Sequence, residues 1–443
     1  MWPAKGTRSG RSALVPWSGG ARATGWKGLA PKRMLCRPTE TTMSVSRLPP
    51  ELLDHVADHL DTADTLRNCC LVSKSWVPST RRHLFADIRF DTAETLRLWT
   101  ETFPDPSTSP AKYTKTLIID CIQAVTVADA EPGGWIRGFS CVLCMRLSGE
   151  SRYADGSMIS LLPFHGLSPV LKSLRVNFSS LPSSLVFDLI LSFPLLEDLK
   201  VITRGEPINN HNGSPRPSTT PQPSNQPMTG CLDLSQWGGM GFIASRLLSL
   251  PGGIHFWKLV LRWSKAEDIS LTMGLVEGCS HTLEYLEIAC GFLGSSLGIR
   301  FRTGNLFLIS VGWGPNSIDL SKATRLKNSV FRVESQRVDW ITMALHTIVP
   351  EHRDLQQITI CLPYDPNLSG AGADVGRIAG DLILGQWLEL DHLLAQLWES
   401  RSMRPKILYF APRGMEKDVT DCVRCLLPGI TEGGIIDLTE WTL

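Results

Sequence analysis

Between residues 48 and 77 the apolar positions fall at helical spacing. After the Pro49–Pro50 step they recur at Leu52, Leu53, Val56, Ala57 and Leu60, which predicts an amphipathic helix with one apolar stripe. Proline suits a helix start, where its missing N–H had no partner to lose. Asp61 and Thr62 offer turn and capping chemistry. A second helix follows with Leu66, Cys69, Cys70 and Val72 on its apolar side, then Trp76, and Pro78 limits its continuation. The next segment, HLFADIRF (83–90), alternates apolar and polar residues and predicts a strand; TAETLRLWTETF (92–103) predicts a helix stopped by PDPSTSP, and KTLIID (115–120) a buried strand.

From there a short phrase recurs: apolar, two residues, apolar, one residue, apolar. It reads LKSLRV (171–176), LEDLKV (196–201), FWKLVL (256–261), LEYLEI (283–288) and LQQITI (355–360), with looser copies at NSVFRV (328–333) and KILYF (406–410). Several copies follow one another by 25 to 27 residues, as from Val176 to Val201 and from Leu261 to Ile288. SSLVFDLILSFP (183–194) and WITMALHTIV (340–349) supply helical apolar content between strands. The pattern resembles a degenerate leucine-rich-repeat array, whose unit is a short strand and a returning helix or loop. The Asn that follows the strand in that family is mostly missing, and an ordinary α/β domain with parallel strands is the other reading.

Residues 205–230 hold six prolines and, apart from Ile208 and Met228, no large apolar residue. Such a stretch cannot build a core and is expected to be a disordered insertion. A docking role for its prolines, or phosphorylation of its three Ser and three Thr, is the functional alternative.

Composition changes the picture mainly by exclusion. The 443 residues are 43% hydrophobic and 20% charged, enough for a packed core and room for more than one domain. The net charge of +1 is uneven. Residues 1–42 carry eight Lys or Arg against Glu40 and are net +7, leaving the remainder net −6. A mildly acidic main body lacks the positive footprint of nucleic-acid binding. The basic start is acid-poor like a transit peptide, but Gly and Pro interrupt it. It is expected to be a disordered tail or a gene-model extension, with Met43 as the real start. Twelve scattered cysteines fit reduced thiols in a cytoplasmic or nuclear protein, and no apolar run is long enough to span a membrane.

LPPELLDHVADHLDTADTLRNCCLVSKSW (48–76) resembles the F-box, in particular the F-box proteins of mushroom-forming fungi. The resemblance covers the opening Leu48, Pro49 and Glu51, the helix positions Leu52, Val56 and Leu60, then Leu66, and the closing Leu71, Val72, Lys74 and Trp76; Ser73 replaces a frequent Cys. Together with the recurring phrase, it points to an α/β chain in which a short helical F-box (43–90) precedes a leucine-rich-repeat-like α/β solenoid (91–443). It also implies docking on a Skp-type adaptor and, through it, on a cullin–RING ligase. The residues it assigns to that docking are Leu48, Pro49, Glu51, Leu52, Val56, Leu60, Leu66, Leu71, Val72 and Trp76. The physics agrees: so short a helical unit cannot bury every apolar residue it carries. Leu48, Leu52, Val56 and Leu60 line one edge, and each aliphatic side chain covered by a partner contributes roughly 1.5–3 kcal/mol before ordering costs. A simple helical hairpin packed on the next domain is the bland alternative.

Neither the phosphate-loop motif GxxxxGK[ST] nor the zinc motif HExxH occurs. SGAGADVG (369–376) is one residue too long for a dinucleotide-binding turn and reads as a loop. Cys141/Cys144 and Cys422/Cys425 form two CxxC pairs, far apart, read as buried structural thiols on helix faces. His55 and His59 stand at i, i+4 without a third ligand. Trp257, Trp263, Trp313, Trp340, Trp387 and Trp398 are read as mostly core, with one or two as exposed anchors. No cofactor, nucleic acid or membrane is implied. The expected function is that of a non-catalytic substrate receptor with an unknown protein substrate. The alternatives are an F-box scaffold working without cullin, or an enzyme hidden in residues 110–443.

Overall fold

The computed structural model describes residues 49–440 with breaks, the longest at 121–133, 150–163, 204–225, 291–317 and 363–380. The expected tail, the Gly-rich loop at 369–376, Trp313 and most of the Pro-rich insertion lie outside the described residues.

Three helices open the described chain: α1 (Pro50–Asp58), α2 (Ala63–Val72) and α3 (Val77–Leu84), with a 3-10 turn, Lys74–Trp76, before α3. The third helix corrects the expected strand at 83–90. Pro78 occupies the first turn of α3, where proline starts a helix as readily as it stops one, and the strand begins only at Asp87. The remainder is α/β. Among the described residues twelve strands form one open sheet in which each strand pairs in parallel with the next in sequence. They are β1 (Asp87–Phe90), β2 (Thr116–Ile119), β3 (Cys144–Gly149), β4 (Ser173–Phe178), β5 (Asp198–Thr203) and β6 (Met228–Gln236). β7 (Ile254–Trp263), β8 (Tyr285–Cys290), β9 (Asn328–Val333), β10 (Gln357–Leu362), β11 (Arg404–Tyr409) and β12 (Asp437–Glu440) complete it.

The recurring phrase explains the register. Its second and third apolar positions fall two residues apart on a strand, so both point to one face. In register they make a buried row: Phe90, Ile119, Leu147, Val176, Val201, Leu234, Leu261, Ile288, Phe331, Ile360 and Ile407. The row two residues earlier is also buried, with Leu174, Leu199, Leu259, Leu286 and Ile358. The first apolar position of the phrase (Leu171, Leu196, Leu283, Leu355) precedes the strand and is buried as well. These rows share one continuous core with α4 (Ala93–Thr102), α5 (Ser183–Leu191), α6 (Gly241–Leu248), α7 (Asp268–Gly278), α8 (Asp339–His346) and α9 (Asp381–Arg401).

Three further expectations are corrected. Met228, Thr229 and Gly230 belong to β6, so the Pro-rich segment does not run unstructured to residue 230. Gly230 has φ +101°, and a Cβ there would lie 1.8 Å from the Glu197 carbonyl oxygen; only glycine fits. Cys144 opens a strand rather than sitting on a helix face, and the pleat turns it out next to buried Met145. Cys141, Cys144 and Cys425 are exposed, so the CxxC pairs are not buried thiols; the Cys422 side chain lies outside the description. Trp340 and Trp387 are core, whereas Trp257 is 47% exposed.

Candidate functional site

The three N-terminal helices sort their apolar residues by face. The Pro49 carbonyl accepts from the amides of Leu52 (3.0 Å) and Leu53 (3.2 Å), starting α1 directly after the proline pair. Glu51 sits in the first turn, where a carboxylate suits the helix dipole. Leu53 (3% exposed) and Ala57 (0%) point inward, while their neighbours Leu52 (49%) and Val56 (42%) face out. On α2 the Thr62 hydroxyl caps the helix by accepting from the Thr65 amide at 3.2 Å. Leu66 is buried inside the unit. Leu71 and Val72, at the end of α2, are 85% and 78% exposed, the two most exposed large apolar side chains described.

α3 locks the other two helices from behind. The Thr80 hydroxyl, fully buried, donates to the Trp76 carbonyl at 2.8 Å and lies 2.7 Å from the Cys70 thiol. Arg82 pairs with Asp54 at 3.0 Å and His83 with Asp58 at 3.1 Å, tying α3 to α1. The Ser73 hydroxyl accepts from the Ser75 amide at 3.3 Å and turns the chain out of α2 just past the exposed pair. α3 also rests on the 3-10 turn Pro110–Tyr113, so the helical unit is seated on the sheet region.

Residues 45–76 match the F-box domain family. This chain carries an F-box. No curated protein matches the chain. F-box domains are protein-interaction adaptors that generally bind Skp-type adaptors, commonly in Skp–cullin–F-box complexes, and F-box proteins are typically non-enzymatic.

The residues singled out from the F-box motif divide into two sets. Leu52, Val56, Leu71 and Val72 are exposed, together with Pro49 and Glu51; Leu60 and Trp76 are half-buried. Leu66 is turned into the F-box core, and Leu48 lies outside the described residues. The stripe read from sequence as one face is two: α1 gives Leu53 and Ala57 to the interior and Leu52 and Val56 to the surface. Sequence reasoning missed the clasp made by Thr80, Arg82 and His83, because it missed α3. His55 and His59 meet edge-to-face with ring centroids 4.8 Å apart, both exposed. Among the described residues no group of three or more His, Cys, Asp or Glu is placed to hold a metal ion, and no helix is long and apolar enough to cross a membrane.

The sheet offers a second surface. On the face opposite the core, β7–β9 carry a closed charge cluster. Glu287, 6% exposed, accepts from Arg332 Nε at 2.5 Å, from Arg262 at 3.1 Å and from the Tyr285 hydroxyl at 3.1 Å. Burial pushes the Glu287 carboxyl up, but the Arg332 hydrogen bond and the charges of Arg332 and Arg262 outweigh it and hold the group below the usual carboxylate range. Burial and the Glu287 charge push the Tyr285 hydroxyl up to about 12, so it stays a donor.

Proposed function

We propose that this chain is the substrate-recognition subunit of a Skp–cullin–F-box ubiquitin ligase, acting in the cytoplasm or nucleus. The observation that carries the reading is the coincidence of the F-box match with Leu52, Val56, Leu71 and Val72, four apolar side chains that the unit leaves in water. An adaptor groove covering them would gain roughly 1.5–3 kcal/mol for each side chain fully buried, before ordering costs. Pro49 stiffens the entry to α1 and lowers those costs. Glu51, Leu60 and Trp76 border the surface and Leu66 supports it from inside; Leu48 joins this set by its place in the F-box motif alone.

The sheet region is read as an irregular leucine-rich-repeat-like solenoid that selects the substrate. Supporting this, strand order follows sequence order from β1 to β12, and the phrase apolar-x-x-apolar-x-apolar precedes or enters most strands. Function then needs no bond-making side chain: the receptor raises the effective concentration of substrate lysines near the charged conjugating enzyme.

The test is co-purification of the full chain with a Skp-type adaptor and a cullin. Recovery of all three is the expected result. Adaptor without cullin would replace the ligase reading with a scaffold working outside ubiquitination, and recovery of neither would overturn both.

A further inference from the structure

The geometry points to an anion-recognition site on the exposed face of β3 and β4, centred on Arg146 and Arg175, that takes an acidic or phosphorylated segment of the protein substrate. The site rests on the receptor reading and names the class of substrate it selects.

Arg146 and Arg175 are direct partners in the parallel register of β3 and β4. Their strand neighbours Met145, Leu147, Leu174 and Val176 are buried, so both arginines stand on the opposite face, and both are exposed. Adjacent strands lie about 4.8 Å apart, and like charges directly opposite each other destabilise a sheet. Among the described residues, neither guanidinium has an ion pair or hydrogen bond. The acids nearby are engaged elsewhere: Asp120 with Arg89 at 2.8 Å and with the Ser148 hydroxyl, Asp198 with the Ser173 hydroxyl at 2.8 Å. Lys200, next in register after Arg175, is bound to Asp233. Asn177, two residues beyond Arg175 on the same face, is also without a hydrogen-bond partner among the described residues, adding a third free donor group.

The same face shows how the chain treats arginines it neutralises itself. Arg262 on β7 and Arg332 on β9 flank Glu287 on β8, and the carboxylate accepts from both. β3 and β4 bring two arginines closer than that pair, on directly adjacent strands, and supply no carboxylate between them. An external carboxylate or phosphoryl group would take the part of Glu287. Charge-assisted, forked guanidinium contacts are the strongest hydrogen bonds available for this purpose.

The experiment measures fluorescence anisotropy of the full chain with three short labelled peptides: one glutamate-rich, its all-glutamine counterpart, and a counterpart bearing phosphoserine. The glutamate or phosphoserine peptide, or both, should bind more tightly than the glutamine peptide, with affinity falling as salt rises. Which of the two binds tells carboxylate from phosphoryl recognition. Arg146→Ala with Arg175→Ala should weaken that binding about tenfold or more. Arg175→Glu places an acid opposite Arg146; it should abolish binding while leaving the melting temperature unchanged or raised, which separates loss of the site from loss of the fold. Equal affinity for all three peptides, or binding untouched by these substitutions, overturns the site. Adaptor binding by the same variants reports on the F-box separately: its failure in the parent chain removes the receptor reading and leaves the anion site standing or falling on the peptide data alone.

Discussion

The apolar residues of the F-box and those of the sheet meet opposite fates. In the sheet, Leu147, Val176, Leu261, Leu286 and Ile288 are fully buried, each on a strand flanked by two others and backed by helices. In the F-box, Leu71 and Val72 are 85% and 78% exposed, on a helix that already spends its inward positions on Leu66 and Cys70. The difference is one of neighbours. A stacked strand buries its apolar row against the strands on either side, whereas a three-helix unit has too little interior for every leucine it carries. The first arrangement produces stability; the second leaves apolar side chains in water, the surface proposed above for a partner.

The comparison is broken most readily from the sheet side. Leu286→Ala removes a fully buried side chain from the middle of β8 and should cost about 2–5 kcal/mol, read from urea unfolding. Leu71→Ala in the F-box should shift the same measurement by no more than about 0.5 kcal/mol, as exposed substitutions do. A loss at Leu71 as large as that at Leu286 would mean that Leu71 is packed, and the contrast would fail.

A smaller effect is expected at Gly230. Its left-handed backbone and the absence of room beside the Glu197 carbonyl make Gly230→Ala strained, at about 1–3 kcal/mol, read from thermal denaturation. An unchanged melting temperature would show that the β6 irregularity does not depend on glycine.

Smaller again is Glu287→Gln, which keeps the shape but removes the charge facing Arg262 and Arg332, at about 1–2 kcal/mol for weakened charged hydrogen bonds. Because the folded carboxyl lies below its unfolded value, its contribution is complete above the unfolded value and is lost as pH falls through the folded one. The parent should therefore lose stability relative to Glu287→Gln as pH drops through the acid range, and the two curves should converge. Parallel curves across that range would remove Glu287 as a source of stability.

Much of this was legible in the sequence, for reasons that also explain the misses. The phrase LxxLxL marks strands because its last two apolar positions share a face; β4, β5, β8 and β10 all begin within it, and NSVFRV is β9 residue for residue. β3 was missed because CMRLSG holds only Met145 and Leu147 as inward residues and opens on a cysteine that suggested a CxxC pair. β6 was missed because its first residues, Met228 to Gly230, end a proline-rich stretch whose composition argued for disorder. α3 was hidden by Pro78, read as a stop where it serves as a start.

The F-box motif was legible as an ordered set of residues. Which of them turn inward was not. Leu52, Leu53, Val56 and Ala57 occupy adjacent positions on two successive turns, and periodicity alone does not say which pair the rest of the unit covers. Packing of α3 decides it, through Thr80 against Cys70 and Arg82 against Asp54. The free arginine pair was illegible for a similar reason: Arg146 and Arg175 become neighbours only through the β3–β4 register.

The most direct test of the central claim is the affinity of a purified Skp-type adaptor for the full chain, compared with the double variant Leu71→Ser, Val72→Ser, with the melting temperature of each measured alongside. Binding by the parent, weakened about tenfold or more in a variant that melts at the same temperature, is the predicted result. Equal affinity for both chains would contradict it, because the two most exposed apolar side chains of the F-box would then play no part in docking.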